Sequence, residues 1–141
     1  METAKSLPLV DGTTIHYRLQ RCGGPGARVI VLLHGMASNL TRWSEFVEHT
    51  TLARDWDILR LDLRGHAGSF TRGPIGMRSW CDDLARLLDA EGYARAVLVG
   101  HSLGAHVALE FAAVHPPRVA GLVLIDPALR PARRGKLRWL A

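Results

Sequence analysis

The sequence predicts an α/β protein whose sheet is mostly parallel and doubly wound. After an opening hairpin, short apolar runs alternate with segments of helical spacing, in the order strand, helix, strand, helix, strand, helix, strand. The run from Val29 to Leu33 is apolar without interruption, which is typical of a strand covered by helices on both faces. This alternation favours parallel strands, because parallel neighbours need a crossover connection between them.

The first twenty residues predict the antiparallel part of that sheet. Leu7 to Val10 and Thr13 to Leu19 flank the pair Asp11-Gly12. An Asp-Gly pair between two strand-forming runs is a strong signal for a hairpin turn. A loop rich in glycine and proline, residues 22–26, then leads into the first parallel strand.

The later elements are predicted from apolar spacing and from the residues that end each element. The predicted strands are 29–33, 56–61, 96–99 and 119–125, and the predicted helices are 43–53, 78–90 and 105–115. Thr41 is the expected cap of the first helix. Gly92 is expected to end the second helix, and Pro116-Pro117 the third.

Length and composition indicate a globular domain. The chain has 141 residues, of which 48% are hydrophobic and 22% charged, values that are ordinary for a folded soluble protein. The apolar runs are too short to span a bilayer, and the N-terminus lacks a signal-peptide pattern, so a cytoplasmic protein is expected. Cys22 and Cys81 make neither a disulfide framework nor a metal cluster, and no metal or cofactor is predicted.

The excess of positive charge is confined to the end of the chain. The formal net charge is +5, and five cations with no acidic residue follow Pro127. We therefore divide the chain into a domain at 1–128 and a basic tail at 129–141, which is either a solvated helix start or linker, or the start of a cap segment. Nucleic-acid binding would rest on this tail alone and is not expected.

The segment from Gly100 to Gly104 reads Gly-His-Ser-Leu-Gly and carries the strongest functional signal. The pattern is common by chance, but here it follows a predicted strand and precedes a predicted helix, as a nucleophile elbow requires. Such a turn presents Ser102 above the sheet and leaves room only for glycine two residues to either side. The helix N-terminus then makes the Leu103 N–H the first oxyanion donor. The alternative is that Ser102 merely caps the helix.

Two further loops follow predicted strands. In His34-Gly35-Met36, Gly35 lets the backbone approach a reacting group, and the Met36 N–H is the expected second oxyanion donor. The alternative there is an ordinary turn at the end of a strand. In the loop 62–69, we expect Asp62 and Arg64 to hold the turn through hydrogen bonds to the backbone rather than to take part in catalysis.

In order and spacing, these motifs resemble the α/β-hydrolase superfamily. The resemblance spans residues 7–128 and rests on four segments, 32–35, 62–69, 100–104 and 123–126. It implies the α/β-hydrolase fold, with antiparallel first strands and parallel later ones, in the esterase- and lipase-like branch. It carries over Ser102 as nucleophile and the N–H groups of Met36 and Leu103 as oxyanion donors. Ala67 departs from the family, which usually has glycine there.

The resemblance also implies catalytic residues that this chain does not contain. The family order is nucleophile, acid, histidine, and the last two usually follow strands later than the one ending at Ile125. We therefore expect an N-terminal portion, truncated after the sixth strand, that is inactive alone and needs a complementing C-terminal half. A minority of the family places its acid where Asp126 stands, so Asp126 is an alternative acid or else a turn residue. Among the histidines, His66 is the least implausible substitute base.

The predicted function is hydrolysis of an ester, thioester or related acyl bond in a small molecule, through an acyl-enzyme on Ser102. A serine at the elbow argues against epoxide hydrolases and haloalkane dehalogenases, whose elbow residue is an aspartate. The alternative function is a non-catalytic ligand-binding or scaffolding module of the same fold. The missing histidine favours that alternative, and the strained serine turn argues against it.

Overall fold

The computed structural model describes residues 1–24, 26 and 28–127. The basic tail at 129–141, with the predicted start of a cap segment, lies outside the described residues. That part of the sequence analysis therefore stays a prediction.

Six strands of the described chain form one mixed sheet. They are β1 (Glu2–Pro8), β2 (Thr14–Gln20), β3 (Arg28–Leu33), β4 (Trp56–Leu61), β5 (Ala96–His101) and β6 (Val119–Ile125). Their order across the sheet is β1-β2-β4-β3-β5-β6. β1 and β2 are antiparallel, β2 is antiparallel to β4, and the remaining neighbours are parallel. The predicted fold class is confirmed.

Helices cover both faces of the sheet. The interior strand β3 is therefore apolar on both of its faces. The helices are α1 (Ser44–His49), α2 (Met77–Glu91) and α3 (Leu103–Val114), with 3-10 turns at Leu40–Trp43, Leu52–Arg54 and Pro116–Arg118. In β3, Val29, Val31 and Leu33 pack into the larger core with α2 and α3. Ile30 and Leu32 point to the opposite face and pack with Trp43. Because both faces are buried, no polar alternation appears in this strand.

The first predicted helix, 43–53, is wrong in its extent. The structure has a 3-10 turn, the short α1 and a second 3-10 turn in that region. Thr50 already has extended backbone angles, and β-branched threonine is a weak helix former. The predicted cap Thr41 is also wrong, because Asn39 is the cap and its side chain accepts a hydrogen bond from the Thr41 N–H at 2.9 Å.

The hairpin is confirmed, but its first strand begins earlier than predicted. β1 starts at Glu2 rather than at Leu7, and its residues pair in register with β2. The turn is closed by a hydrogen bond from Leu9 N to Thr13 O at 2.8 Å. Gly12 has φ +83°, a conformation that glycine adopts without steric cost.

Two buried carboxylates tie the hairpin to the rest of the domain. Asp57 accepts hydrogen bonds from the Cys22 N–H at 2.7 Å and from the Tyr93 hydroxyl at 2.5 Å. Glu91 accepts hydrogen bonds from Tyr17 and Lys5. Burial alone raises the pKa of each carboxyl group, but these hydrogen bonds and nearby cations outweigh burial and lower both pKa values below their ordinary range.

We expect the fold to lose stability in acid for this reason. A carboxyl group whose pKa is lowered in the folded state stabilises it above the ordinary pKa, about 4, and this stabilisation is lost as the pH falls through the lowered pKa. Tyr17→Phe removes one donor to Glu91, so the midpoint of acid unfolding, followed by circular dichroism, should move to higher pH. A Tyr17→Phe variant that loses the same stability at every pH would contradict this account.

Among the helices of the described residues, none has the combination of length and apolar character needed to cross a bilayer.

Candidate active site

Ser102 occupies a strained turn between β5 and α3. Its backbone angles are φ +51° and ψ −112°, a region that non-glycine residues rarely adopt. The Ser102 N–H donates to the Ile125 carbonyl at 2.9 Å, and the Ser102 carbonyl accepts from Ala105 N at 3.0 Å. The Ser102 side chain makes no capping hydrogen bond to α3. Ser102 therefore stands at the N-cap position of α3, but its side chain does not cap the helix.

The two glycines of the motif are required by close backbone packing. A Cβ atom on Gly100 would lie 2.3 Å from the Gly104 carbonyl oxygen. A Cβ atom on Gly104 would lie 2.2 Å from the Leu33 carbonyl oxygen. Both distances are far below van der Waals contact, so the crossing of β5, α3 and β3 admits no side chain at either position.

We expect Ser102→Gly to stabilise the protein by about 1 kcal/mol. A residue held in such a conformation stores about 1–3 kcal/mol of strain, and glycine relieves it at the cost of a more flexible unfolded chain, about 0.4–1 kcal/mol. Urea unfolding would measure the change. The control is Ser6→Gly on the exposed β1 strand, where the same substitution should destabilise. Equal destabilisation by both substitutions would show that the Ser102 turn is not strained.

The loop after β3 lies against Ser102. A Cβ atom on Gly35 would lie 3.4 Å from Ser102 Cβ and 3.0 Å from His101 Nδ1. Glycine therefore allows the backbone to approach the serine. Neither the Met36 N–H nor the Leu103 N–H donates to an acceptor in the part of the chain that the structure describes.

His34 is buried, and both of its ring nitrogens are occupied. Nε2 accepts a hydrogen bond from the Leu63 N–H at 3.0 Å, and Nδ1 lies 2.7 Å from the Gly35 carbonyl oxygen. Burial lowers the pKa of His34, which keeps the ring neutral. His34 is therefore committed to the backbone and is not free to accept a proton from Ser102.

Within the described residues, no histidine forms a hydrogen bond to the Ser102 hydroxyl. His66 Nδ1 lies 3.3 Å from the Arg64 carbonyl oxygen, and its ring lies 5.0 Å from that of His34. His101 Nδ1 and His115 Nε2 are buried without a partner there.

The loop 62–69 is fixed by its charged residues. The Asp62 carboxylate accepts hydrogen bonds from the backbone N–H groups of Leu40 at 2.8 Å and Gly68 at 3.0 Å. Asp62 thus joins the loops after β3 and β4 through hydrogen bonds to the backbone, as the sequence analysis expected. Arg64 differs from expectation, because its guanidinium donates to the carboxylates of Asp83 and Asp11 rather than to the backbone. Ala67 has φ +41°, which explains why glycine would suit this position better.

Asp126 follows the strand β6, which contacts the serine turn. It is exposed, has φ +44° and directly follows Ile125, whose carbonyl binds the Ser102 N–H. Its place next to the serine turn is compatible with the predicted alternative of a catalytic acid. Its role stays a prediction.

Comparison with known families decides the classification. The family described as "alpha/beta hydrolase fold" matches residues 28–140 of this chain. The chain belongs to the α/β hydrolase fold family. The resemblance seen in the sequence motifs is thereby confirmed.

Several members of the α/β hydrolase fold family are similar to this chain. Lipase LipV of Mycobacterium tuberculosis is 36% identical over 115 residues, which cover 82% of this chain and 43% of the lipase. The crystal structure of a hydrolase from Pseudomonas aeruginosa superposes with a TM-score of 0.77 at 31% identity, over 86% of this chain and 45% of that one. The enol-lactonase of Burkholderia xenovorans gives a TM-score of 0.75 at 28% identity, over 84% and 45%. The chain therefore spans somewhat less than half the length of these relatives.

Sequence reasoning missed two features of this hydrolase-fold site. The hydrogen bond between His34 and Leu63 links residues 29 positions apart, and the Arg64–Asp83 ion pair links residues 19 positions apart. Neither pairing has a local signature. The one available signal was a histidine between an apolar strand and a glycine, which is a position where a buried polar ring needs partners.

Proposed function

We propose that this chain supplies the nucleophile and the oxyanion donors of a serine hydrolase acting on ester, thioester or related acyl bonds of small molecules. The observation that carries the proposal is the strained turn at Ser102, which has the Leu103 N–H beside it and the Gly35 backbone packed against it. Strain of this kind persists where the surrounding structure enforces it, and it is concentrated at functional sites. The names of two relatives, a lipase and an enol-lactonase, agree with reaction at an acyl carbon.

The proposed reaction proceeds through an acyl-enzyme. Ser102 Oγ attacks the acyl carbon while a general base takes its proton, and the N–H groups of Met36 and Leu103 donate to the resulting oxyanion. The tetrahedral intermediate collapses, and the leaving group departs with the proton from the base. Water then attacks the acyl group, which releases the acid and restores the Ser102 hydroxyl.

We further propose that the general base comes from residues other than those described. No histidine among the described residues forms a hydrogen bond to the Ser102 hydroxyl, and more than half the length of each relative lies outside the matched region. A complementing C-terminal half, on the same protein or on a partner chain, would bring the histidine and the acid, unless Asp126 is the acid. The 141-residue chain alone would then turn over little or no substrate, because loss of one triad member costs several orders of magnitude in rate.

The test exposes the 141-residue chain to a fluorophosphonate, with and without free imidazole as an added base, and measures the intact mass. We expect little adduct without imidazole and a single adduct that forms faster as the imidazole concentration rises. Ser102→Ala should abolish this adduct. Ser6→Ala, which removes an exposed serine on β1, is the matched control and should leave it unchanged.

Two other outcomes have definite meanings. Rapid labelling of Ser102 without imidazole would support the nucleophile but refute an external base, and His66 would be the first residue to replace. A folded chain that imidazole cannot activate would refute the nucleophile. That result would favour the alternative of a non-catalytic ligand-binding or scaffolding module, which the absence of a base partner at Ser102 among the described residues supports.

A further inference from the structure

The peptide unit between Gly35 and Met36 is held through its carbonyl oxygen by the His34 ring. His34 Nδ1 lies 2.7 Å from the Gly35 oxygen, and His34 Nε2 lies 3.0 Å from the Leu63 nitrogen. A backbone N–H can only donate, so Nε2 accepts and carries no proton. In the neutral ring the proton is then on Nδ1, which donates to the Gly35 carbonyl. The hydrogen-bond network thus fixes the tautomer.

This hydrogen bond has a consequence at the other end of the peptide. The described chain has no cis peptide bond, so the Gly35 carbonyl and the Met36 N–H point in opposite directions within one rigid plane. Holding the oxygen therefore fixes the direction of the N–H. His34 has no exposed surface, and its second nitrogen is anchored to Leu63, so the ring cannot rotate away.

We propose that His34 is a positioning residue that sets the direction of the Met36 N–H, the proposed oxyanion donor. The expected effect on catalysis rests on the proposed function. The expected effect on the orientation of the Met36 N–H does not, and it can be measured on an inactive chain. The charged and titratable groups around the ring are Asp62 and His66, which come from the loop after β4. Burial lowers the pKa of His34 and so favours the neutral ring that this arrangement requires.

Two substitutions separate the two hydrogen bonds of His34. In His34→Asn the side-chain amide lies near the position of Nδ1, so it can still donate to the Gly35 carbonyl but no longer reaches the Leu63 N–H. In His34→Gln the longer side chain can accept from Leu63 but no longer donates to Gly35. Each variant loses one buried hydrogen bond, so the pair controls for loss of stability.

The first readout is the orientation of the Met36 N–H, measured by residual dipolar couplings on the ¹⁵N-labelled chain. We expect the Met36 coupling to be kept in His34→Asn and changed in His34→Gln. An unchanged coupling in a folded His34→Gln variant would overturn the inference. If either variant fails to fold, the ¹⁵N shifts of the wild-type imidazole decide, because an Nε2-protonated ring would overturn the inference without any substitution.

The second readout is the rate of imidazole-assisted fluorophosphonate labelling. His34→Gln should react about 100-fold more slowly than wild type, as expected for loss of one oxyanion donor, and His34→Asn should stay within about ten-fold. If the Met36 coupling responds but wild-type Ser102 is not labelled, the positioning role is upheld and the proposed function fails. If the coupling responds and both variants are labelled at the wild-type rate, His34 has no catalytic positioning role and the inference is overturned.

Discussion

Replacing Gly104 with alanine is expected to lower the free energy of unfolding by about 3 kcal/mol or more. The added Cβ would lie 2.2 Å from the Leu33 oxygen, 2.6 Å from the Leu33 carbonyl carbon and 2.7 Å from the His34 oxygen. All three are backbone atoms, and they move only if the end of β3 moves with them. Overpacking in a core costs about 1–3 kcal/mol, occasionally more, and a rigid backbone places this site at the upper end.

The sign of the change in the free energy of unfolding shows whether close packing or helix propensity dominates at Gly104. In an open helix, alanine is favoured over glycine by about 1 kcal/mol, so a stabilised Gly104→Ala variant would mean that α3 does not approach β3 as described. Gly121→Ala is the matched control in β6, because its added Cβ would meet nothing closer than 3.7 Å. Urea unfolding should show the control within about 1 kcal/mol of wild type.

Breaking the ion pair between Arg64 and Asp83 is expected to cost about 3–5 kcal/mol, as for other buried pairs that lose one partner. The guanidinium donates twice to the Asp83 carboxylate, both times at 2.7 Å, and each side chain is only 3% exposed. Arg64→Met leaves the Asp83 carboxylate buried without its partner. Asp11, the other acid bound to Arg64, is one-third exposed and is rehydrated at little cost.

The double variant tests whether the cost arises from the unpaired charge. Apolar replacement of both partners is often neutral, so Arg64→Met with Asp83→Leu should recover most of the stability lost in Arg64→Met. Urea unfolding of the four proteins completes a double-mutant cycle. Asp89→Asn weakens the more exposed pair with Arg118 and should cost less than about 1 kcal/mol. A double variant no more stable than Arg64→Met would show that the pair acts through packing instead.

The bounds of a strand could be predicted where the strand has a clear local pattern of apolar residues. β4 and β6 have the predicted bounds, and β3 differs by one residue. In β3 the signal is burial on both faces, which gives the strand an uninterrupted apolar pattern from Val29 to Leu33. β1 begins five residues before its predicted start, since residues 2–6 lie on the exposed edge of the sheet and carry no apolar alternation. Its position is set by pairing with β2, which is information that those residues do not contain.

In the candidate site, too, the features that are local in sequence could be predicted, and the contacts between distant segments could not. The Ser102 turn and its two glycines are close in sequence, so the motif and the neighbouring strand and helix were enough to predict the turn. The partners of His34 and Arg64 are set by how distant segments meet. Arg64 was expected to bond to the nearby backbone, but a buried guanidinium is best satisfied by carboxylates, and Asp83 is brought to it by the packing of α2.

The hydrogen bond from the Ser102 N–H to the Ile125 carbonyl links the serine turn to β6, which is one of the two edge strands of the described sheet. β6 pairs with one described neighbour, β5, and Val123 on it is 47% exposed. A strand paired on one side opens more easily than an interior strand. The order of β6 and the geometry of Ser102 are therefore thermodynamically linked. A change that displaces β6 would therefore disturb the backbone of the serine turn without contacting it, because the hydrogen bond at Ile125 would be lost or bent.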